Sequence, residues 1–390
     1  MSDSSSRFHL AVALDGAGWH PAAWREPDAR PAGLFGAAYW TDLALEAERG
    51  SLDFVTIEDS LAVQSDDALA PDDRTDRVRG RLDAVLVAAR IAPRTQRLGL
   101  VPTAVVTHTE PFHVSKSIAT LDYVSAGRAG VRVQIAARPD VAAHFGRREP
   151  AAPQLIHEYL TETADYVDVL RRLWDSWEDG AEIRDAATGR FIDRDKLHYI
   201  DFDGRWFSVK GPSITPRPPQ GQPIVAALGH GRASFELIAG STDVGFVTPR
   251  DAPHAADIVG DIRRLQHAAG RGSETLHVFG DLVVFLDDSQ SAAQARRRRL
   301  DDIAGSEYRS DALVFAGTAA QLADLLSEWH AAGLTGFRLR PAALPHDLLQ
   351  VTEHLVPELH HRGLFRTASE STTLRGRLGL ARPANRYALT

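Results

Sequence analysis

The sequence predicts an α/β fold, a TIM (β/α)8 barrel whose eight parallel strands close into a ring. Three observations carry this. Eight short apolar runs of strand character alternate with helical runs. No break in composition divides the 390 residues. The turn after the first strand, Gly16-Ala17-Gly18-Trp19-His20-Pro21, lacks the dinucleotide-binding glycine fingerprint that a doubly wound sheet would carry there.

The elements follow in order. Phe8 to Leu14 runs apolar as strand 1, and the loop after it holds Trp19, His20, Trp24 and Arg25. Those aromatics either line a pocket or pack the loop onto the barrel rim. Tyr39 to Glu48 is helical and Gly50 ends it as a left-handed cap would. Asp53 to Ile57 is strand 2, with Glu58 and Asp59 at its end. Gln64 to Gly80 is a polar loop and Leu82 to Ile91 a helix. Strand 3, Leu98 to Val101, is interrupted by Pro102, and Thr103 and His108 follow. Pro111 opens the helix from Phe112 to Tyr123, since proline's missing N–H has no partner in a first turn anyway.

Strand 4 is Gly130 to Ala136, and its alternation sends Arg132 and Gln134 to the barrel interior or its mouth. A buried arginine there needs an anionic partner. His157 to Trp177 is a long helix with Tyr166, Val169, Leu170 and Leu173 at core spacing. Some forty residues without regular periodicity follow, read as a functional excursion over one end of the barrel. Within it, Trp206 to Val209 is expected to form a short hairpin arm. Ile224 to Leu228 is strand 5, Asp243 to Val247 strand 6, Leu276 to Leu286 strand 7 and Gly336 to Arg340 strand 8. Helices run from Ala233 to Ala239, Asp257 to Ala269, Thr318 to His330 and Leu348 to Arg362. Asp288 to Arg309 reads as a polar insertion with a helical middle.

The expected organisation is a disordered N-terminus over 1–7, one barrel domain over 8–365 with insertions near 178–222 and 288–312, and a polar tail over 366–390. Composition is that of a globular chain, 44% hydrophobic and 25% charged. A net charge of −8 argues against a nucleic-acid partner. The absence of cysteine excludes disulfides and thiolate chemistry. No apolar run is long enough to span a membrane, and the polar first residues lack a signal peptide's apolar core, so a cytoplasmic location is expected. No metal-ligand spacing, serine-nucleophile elbow or P-loop is present, and no metal is expected.

In a barrel of this kind the strand C-terminal ends share one face, where active sites sit. That rule gathers His20, Asp59, Thr103, His108, Gln134, Gly229 and His230 at one mouth. Gly229-His230-Gly231 marks the turn from strand 5 into a helix. It is either an anion site, built from close backbone approach and unpaired N–H groups, or an ordinary strand-to-helix turn.

Several segments together resemble a known family. They are Trp174–Ala181, Arg190-Phe191-Ile192-Asp193, Phe207–Pro212, Pro216–Pro223, Leu121-Asp122-Tyr123 with Gly127–Gly130, Val356–Leu359 with Arg362-Gly363-Leu364, and the tail Gly379–Arg386. The chain is similar over nearly its whole length to the bacterial luciferase-like flavin monooxygenases, in the branch of the nitrilotriacetate, long-chain alkane and dibenzothiophene-sulfone enzymes. The resemblance implies a barrel that binds reduced FMN, supplied by a separate NAD(P)H:flavin reductase. It implies O2 and a small organic molecule as co-substrates, oxygenation through a flavin C4a-(hydro)peroxide, and assembly into homodimers or homotetramers. Matched by position, Asp59 and Thr103 would contact the flavin, Gly229, His230 and Gly231 would hold its phosphate, and His20 would face the substrate. Relatives read Trp-Asn-Val-Val-Thr-Ser on strand 4 where this chain has Val131 to Ala136, so their Asn and Thr give way to Arg132 and Ile135; Gln134 would supply the lost amide and Arg132 would face the flavin carbonyls or an acidic substrate. His20 or His108 would hand a proton or hydrogen bond to the reacting oxygen, or else is a rim histidine satisfied by backbone. The excursion and the Trp19/Trp24 loop would keep water out. The alternatives are a deazaflavin (F420)-dependent oxidoreductase on the same barrel and a non-catalytic flavin-binding barrel.

Overall fold

The structure, a computed structural model, describes residues 7–67, 70–146, 156–366 and 371–388. Eight parallel strands close a ring: β1 (His9–Leu14), β2 (Phe54–Ile57), β3 (Gly99–Val105), β4 (Gly130–Gln134), β5 (Ile224–Gly229), β6 (Val244–Val247), β7 (His277–Leu286) and β8 (Gly336–Pro341). Each pairs with the next, and β8 returns to β1 with His9 opposite Gly336. The predicted barrel is therefore the observed one. Helices Ala37–Arg49, Ala84–Ile91, Pro111–Val124, Ile156–Asp175, Arg232–Ser241, Ala252–Ala268 and Ala319–Ala331 lie outside it. The last layer is a single run, His346–Gln350, a π-helical turn Val351–Leu355, then Val356–His361.

Local chemistry accounts for several element ends. Thr318 accepts a hydrogen bond from Gln321 N, and Gln321 Oε1 accepts one from Thr318 N, a reciprocal cap that starts the helix there. Pro102 does not end β3 as expected. It is the last residue of β3 in register with β2, opposite Ile57, and Thr103 is the first in register with β4. On the β4 side Leu100 N already donates to Arg128 O, so pairing continues across the proline. Gly50 is not the left-handed residue after the first helix; its φ is −72° and Ser51 takes the positive φ of 57°. Glycine is needed at 50 because a Cβ would stand 2.5 Å from Thr352 Cγ2.

The interior of the ring has two levels. The lower is apolar: Ala11, Phe54, Val101, Ile224, Val244, Phe246 and Phe279 pack together. Leu374, Leu378 and Leu380 of the tail complete that cluster, so residues 374–380 plug the N-terminal end of the barrel. The tail expected to be a polar extension is a structural part. The upper level is charged.

Two insertions differ from expectation. Residues 178–222 do not cover the catalytic mouth. They run along the outer face of the helices. Two small hairpins form, Glu182–Asp185 with Arg190–Ile192 and Phe202–Asp203 with Ser208–Val209, the second being the arm expected from the sequence. Phe202, Phe207 and Val209 pack on Val169 and Leu173 of the Ile156–Asp175 helix. Tyr123 Oη donates to Arg217 O at 2.9 Å, and Arg217 Nη2 donates to Pro383 O at 2.9 Å, so this segment braces the tail. The second insertion holds the helix Gln290–Ala304 and an unforeseen ninth strand, Leu313–Gly317, parallel to the upper half of β7. It takes the edge of β7 that β6 occupies lower down. A short helix, Pro139–Phe145, was also not foreseen.

Candidate active site at the barrel mouth

Alternation on β8 turns Arg338 and Arg340 inward, as alternation on β4 turns Arg132 inward. All three guanidiniums are buried, and each has the anionic partner that burial demands. Arg132 pairs with Glu58 at the end of β2 and donates from Nε to Thr103 Oγ1 at 3.0 Å. Arg338 reaches the other oxygen of Glu58 at 3.3 Å and forms a two-armed pair with Asp281 of β7. Arg340 shares Asp281, with Nε 3.0 Å and Nη2 2.5 Å from Oδ2, and reaches Asp311 at 2.6 Å. Asp311 lies 3.5 Å from His230 Nε2. Three arginines and three carboxylates thus form one chain across the upper barrel.

The electrostatics follow from burial and pairing. Burial, aided by the Arg338 and Arg340 charges, pushes the Arg132 guanidinium down to about 10 against the pull of Glu58. Burial alone would raise Asp281, but Arg338 and Arg340 more than reverse that and hold it below the ordinary carboxylate range. Asp311, also opposed by burial, is drawn to about 2 by Arg340.

Two cavities open at this end of the barrel. The larger, about 570 Å³, lies between the ends of β4 and β5 and the Ile156–Asp175 helix. Its walls include Arg132, Gln134, Ile135, Leu160, Leu228 and the turn from His230 to Ser234. Gly231 is the N-cap of the Arg232–Ser241 helix, and a Cβ built there would meet nothing within 4 Å. Ser234 Oγ accepts from His230 N and Gly231 N, at 3.0 and 3.2 Å. The first-turn N–H groups beyond them have no intrahelical acceptor. An open helix N-terminus at the edge of a largely apolar cavity suits an anionic group on a flat apolar body.

The smaller cavity, about 200 Å³, lies across the ring beneath the β1 loop. Backbone bonds continue the β1–β8 contact into this loop: Trp19 N to Pro341 O at 2.9 Å, His20 N to Ala342 O at 3.0 Å. Gly18 permits it; its φ is +125° and a Cβ would stand 2.4 Å from Ala342 O. His20 is buried, accepts from Ala22 N at Nδ1 and meets Asp301 at Nε2, 3.1 Å. With Nδ1 accepting, Nε2 carries the proton. Burial lowers the pKa of this imidazole despite Asp301.

The structure brings most of the predicted residues to this face, but engages them in ways the sequence did not show. Thr103 is fully buried beneath Arg132. Asp59 spends its carboxylate on Ser60 N at 2.7 Å and Ala84 N at 2.9 Å, so it anchors the start of the following helix; burial raises its pKa. Gln134 Oε1 takes Arg132 Nη2 at 2.6 Å. Gly229 is required by packing, since a Cβ would stand 2.8 Å from Ile238 Cδ1. His108 is buried and stacks on Phe145 with centroids 5.3 Å apart. Arg338, Arg340, Asp281 and Asp311 were missed. The Arg-x-Arg alternation of strand 8 carried the same signal that singled out Arg132. Among the described residues no group of His, Asp and Glu is arranged to hold a metal ion, and no helix is long and apolar enough to cross a membrane.

Comparison with known proteins agrees with the barrel fold. The chain is 29% identical to N-acetyl-S-(2-succino)cysteine monooxygenase of Bacillus subtilis (strain 168), covering 100% of both chains. It is 28% identical to nitrilotriacetate monooxygenase component A of Aminobacter aminovorans, over 99% of each. Among solved structures, a riboflavin lyase with modified FMN and riboflavin superposes with a TM-score of 0.85 at 24% identity, covering 96% of each chain. The family model for luciferase-like monooxygenases matches residues 17–336. That span begins in the β1 loop, runs through both cavity walls and ends as β8 begins, so this chain belongs to the luciferase-like monooxygenase family.

Proposed function

We propose that the protein is the oxygenase component of a two-component monooxygenase that uses reduced FMN, delivered by a separate NAD(P)H:flavin reductase, and O2 to oxygenate a small organic substrate. One observation carries this reading: the open first turn at Gly231 on the edge of the 570 Å³ cavity. That volume lies within the usual range for cofactor pockets, about 300–1,000 Å³. The turn from Gly231 to Ser234 would hold the phosphate, and Arg132 and Gln134 would face the polar edge of the ring system. When bound, FMN supplies the oxygen activation; the chain supplies binding, orientation and exclusion of water.

Leu160, Leu228 and Ile135 give the cavity its dry wall. Arg132 is held in place from three sides, by Glu58, Thr103 and Gln134, so its charge is fixed before any ligand arrives. In this reading His20, which meets Asp301 through Nε2, or His108 takes the proton role at the mouth. His108→Gln should lower kcat with FMN affinity unchanged. Full-length relatives named as monooxygenases support oxygenation over F420-dependent hydride transfer.

The test uses the phosphate. Gly231 has extended backbone and open space, so Gly231→Asp fits without strain and sets a carboxylate at the helix N-terminus. FMN affinity should fall about tenfold or more, with riboflavin, which lacks the phosphate, barely affected. Equal loss for both flavins, or none for either, would remove the phosphate assignment.

A further inference from the structure

A third recess, of about 420 Å³, lies at the opposite end of the Arg232–Ser241 helix from the flavin cavity. The Ile156–Asp175 helix, Asp243 just before β6, and the tail at Arg375 and Arg386 form its walls. Asp168, Arg171 and Asp175 share one face of that helix, at spacings of three and four. Arg386 donates to Asp168 and to Asp175, both at 3.4 Å, so its guanidinium spans the face that carries Arg171. Arg171 and Arg375 meet at Asp243, with Arg171 Nη2 2.9 Å from Oδ2 and Arg375 Nη2 2.6 Å from Oδ1. Burial would raise this carboxylate, but the two arginines draw it to about 2, so it stays ionised and the trio keeps a net positive charge. The other carboxylates of the wall are engaged as well: Asp175 also takes Arg217 Nε, Asp168 also takes Arg172 Nε, and Glu274 takes Arg271 Nε. The guanidiniums are not used up. Each has five N–H donors. Arg171 donates through Nη2 alone, Arg375 through Nε and Nη2, and Arg386 through Nε and Nη1. Among the described residues nothing accepts from Arg171 Nε and Nη1, Arg375 Nη1 or Arg386 Nη2, and the spare nitrogens of Arg171 and Arg375 keep accessible surface. Those two side chains are 17% and 8% exposed, on the wall of the recess. The carbonyls that end the Arg232–Ser241 helix, which would repel an anion, are covered: Ser241 O by Arg171, Ala239 O and Thr242 O by Arg271.

Spare donors on three guanidiniums, brought to one recess by different parts of the chain, select an oxyanion with several acceptor oxygens. We propose that this recess is an oxyanion site separate from the flavin cavity, that it takes the phosphate of an organic phosphate monoester, and that Arg171, Arg375 and Arg386 hold that phosphate. The volume falls within that of small-molecule pockets, about 300–1,000 Å³, and leaves room for more than the bare ion. Ala164, Val167, Pro383 and Ala384 give the organic body an apolar seat. Two of the three arginines belong to the tail and the third to the helix beside it, so the ligand fastens the tail that plugs the barrel floor. A ligand that binds only the folded chain stabilises it by mass action. The site does not depend on the oxygenase reading of the mouth.

The experiment uses flavin-free Gly231→Asp protein, in which a carboxylate blocks the anion position at the mouth, so phosphate binding is read from the recess alone. Calorimetry and thermal melts are run with phenyl phosphate, inorganic phosphate, phenol, and sodium chloride at matched ionic strength. Phenyl phosphate should bind at one site and raise the melting temperature. Inorganic phosphate should bind about tenfold more weakly, and phenol and salt should do neither. In the same background Arg386→Gln and Arg171→Gln should each weaken phenyl phosphate about tenfold, while the same substitutions in the wild-type chain leave FMN titration unchanged. Arg386 rests on two contacts of 3.4 Å, so Arg386→Gln keeps the fold and decides should Arg171→Gln fail to fold. The proposal is overturned if phenyl phosphate does not bind, if Arg386→Gln binds it as tightly, or if salt alone raises the melting temperature as far. Equal affinity for inorganic phosphate would overturn the ester and assign the recess to the free ion.

Discussion

Asp281 is the residue on which the upper barrel turns. It is fully buried and holds Arg338 and Arg340 together. Removing one member of such a group leaves the others charged and unpaired, at a cost of about 3–5 kcal/mol. Asp281→Ala should therefore lower stability by about that amount in urea titration, and Arg338→Met in the same chain should recover part of it. His277, at the other end of β7, makes a different prediction. Burial, with His9 adding to it, pushes its imidazole from 6.5 down to about 4. The folded state thus binds fewer protons than the unfolded one between those values. The stability contributed by the neutral ring is present above pH 6.5 and is lost as pH falls toward 4. The loss amounts to roughly 3 kcal/mol. Urea midpoints at pH 7 and 4.5 should fall further apart for wild type than for His277→Gln.

Among elements, the strand Leu313–Gly317 is tied to the site through the turn before it. Asp311 links that turn to Arg340 and to His230. Asp311→Ala leaves Arg340 its pairing with Asp281, so the barrel should keep its melting temperature while limited proteolysis cuts faster between residues 305 and 312. The barrel strands were legible because fully apolar runs between helical runs leave few other topologies, and Arg132 was legible as an inward cation in want of a partner. The partner was not, because Glu58 and Arg132 are 74 residues apart and meet only through ring closure. Leu313–Gly317 went unread because it follows a helix of low hydropathy, rich in arginine from 296 to 299, that reads as solvated insertion. Asp59 and Thr103 had the right place but not the right engagement; nothing in a linear pattern shows that a carboxylate is already spent on Ala84 N.

At the scale of the molecule, the barrel is charged at one end and apolar at the other, and the tail closes the apolar end. Leu374, Leu378 and Leu380 are buried there, each side chain contributing about 1.5–3 kcal/mol. Together that is comparable with the whole stability of a typical domain, about 5–15 kcal/mol. A chain ending at Arg366 should fail to give a cooperative unfolding transition, and Leu374→Ala alone should cost about 2–5 kcal/mol by calorimetry or urea titration. Arg375 adds polar fastening, with Nη2 2.6 Å from Asp243 and its N–H 2.7 Å from Gln220 Oε1.

That plug is translated after every strand it touches. A nascent chain emerging from the ribosome can pair all eight strands and still present the phenylalanines of the barrel floor to water, until residues 374–380 follow. Chains cut short before residue 374 are thereby left with a bare greasy underside, the sort of surface that chaperones and proteases recognise.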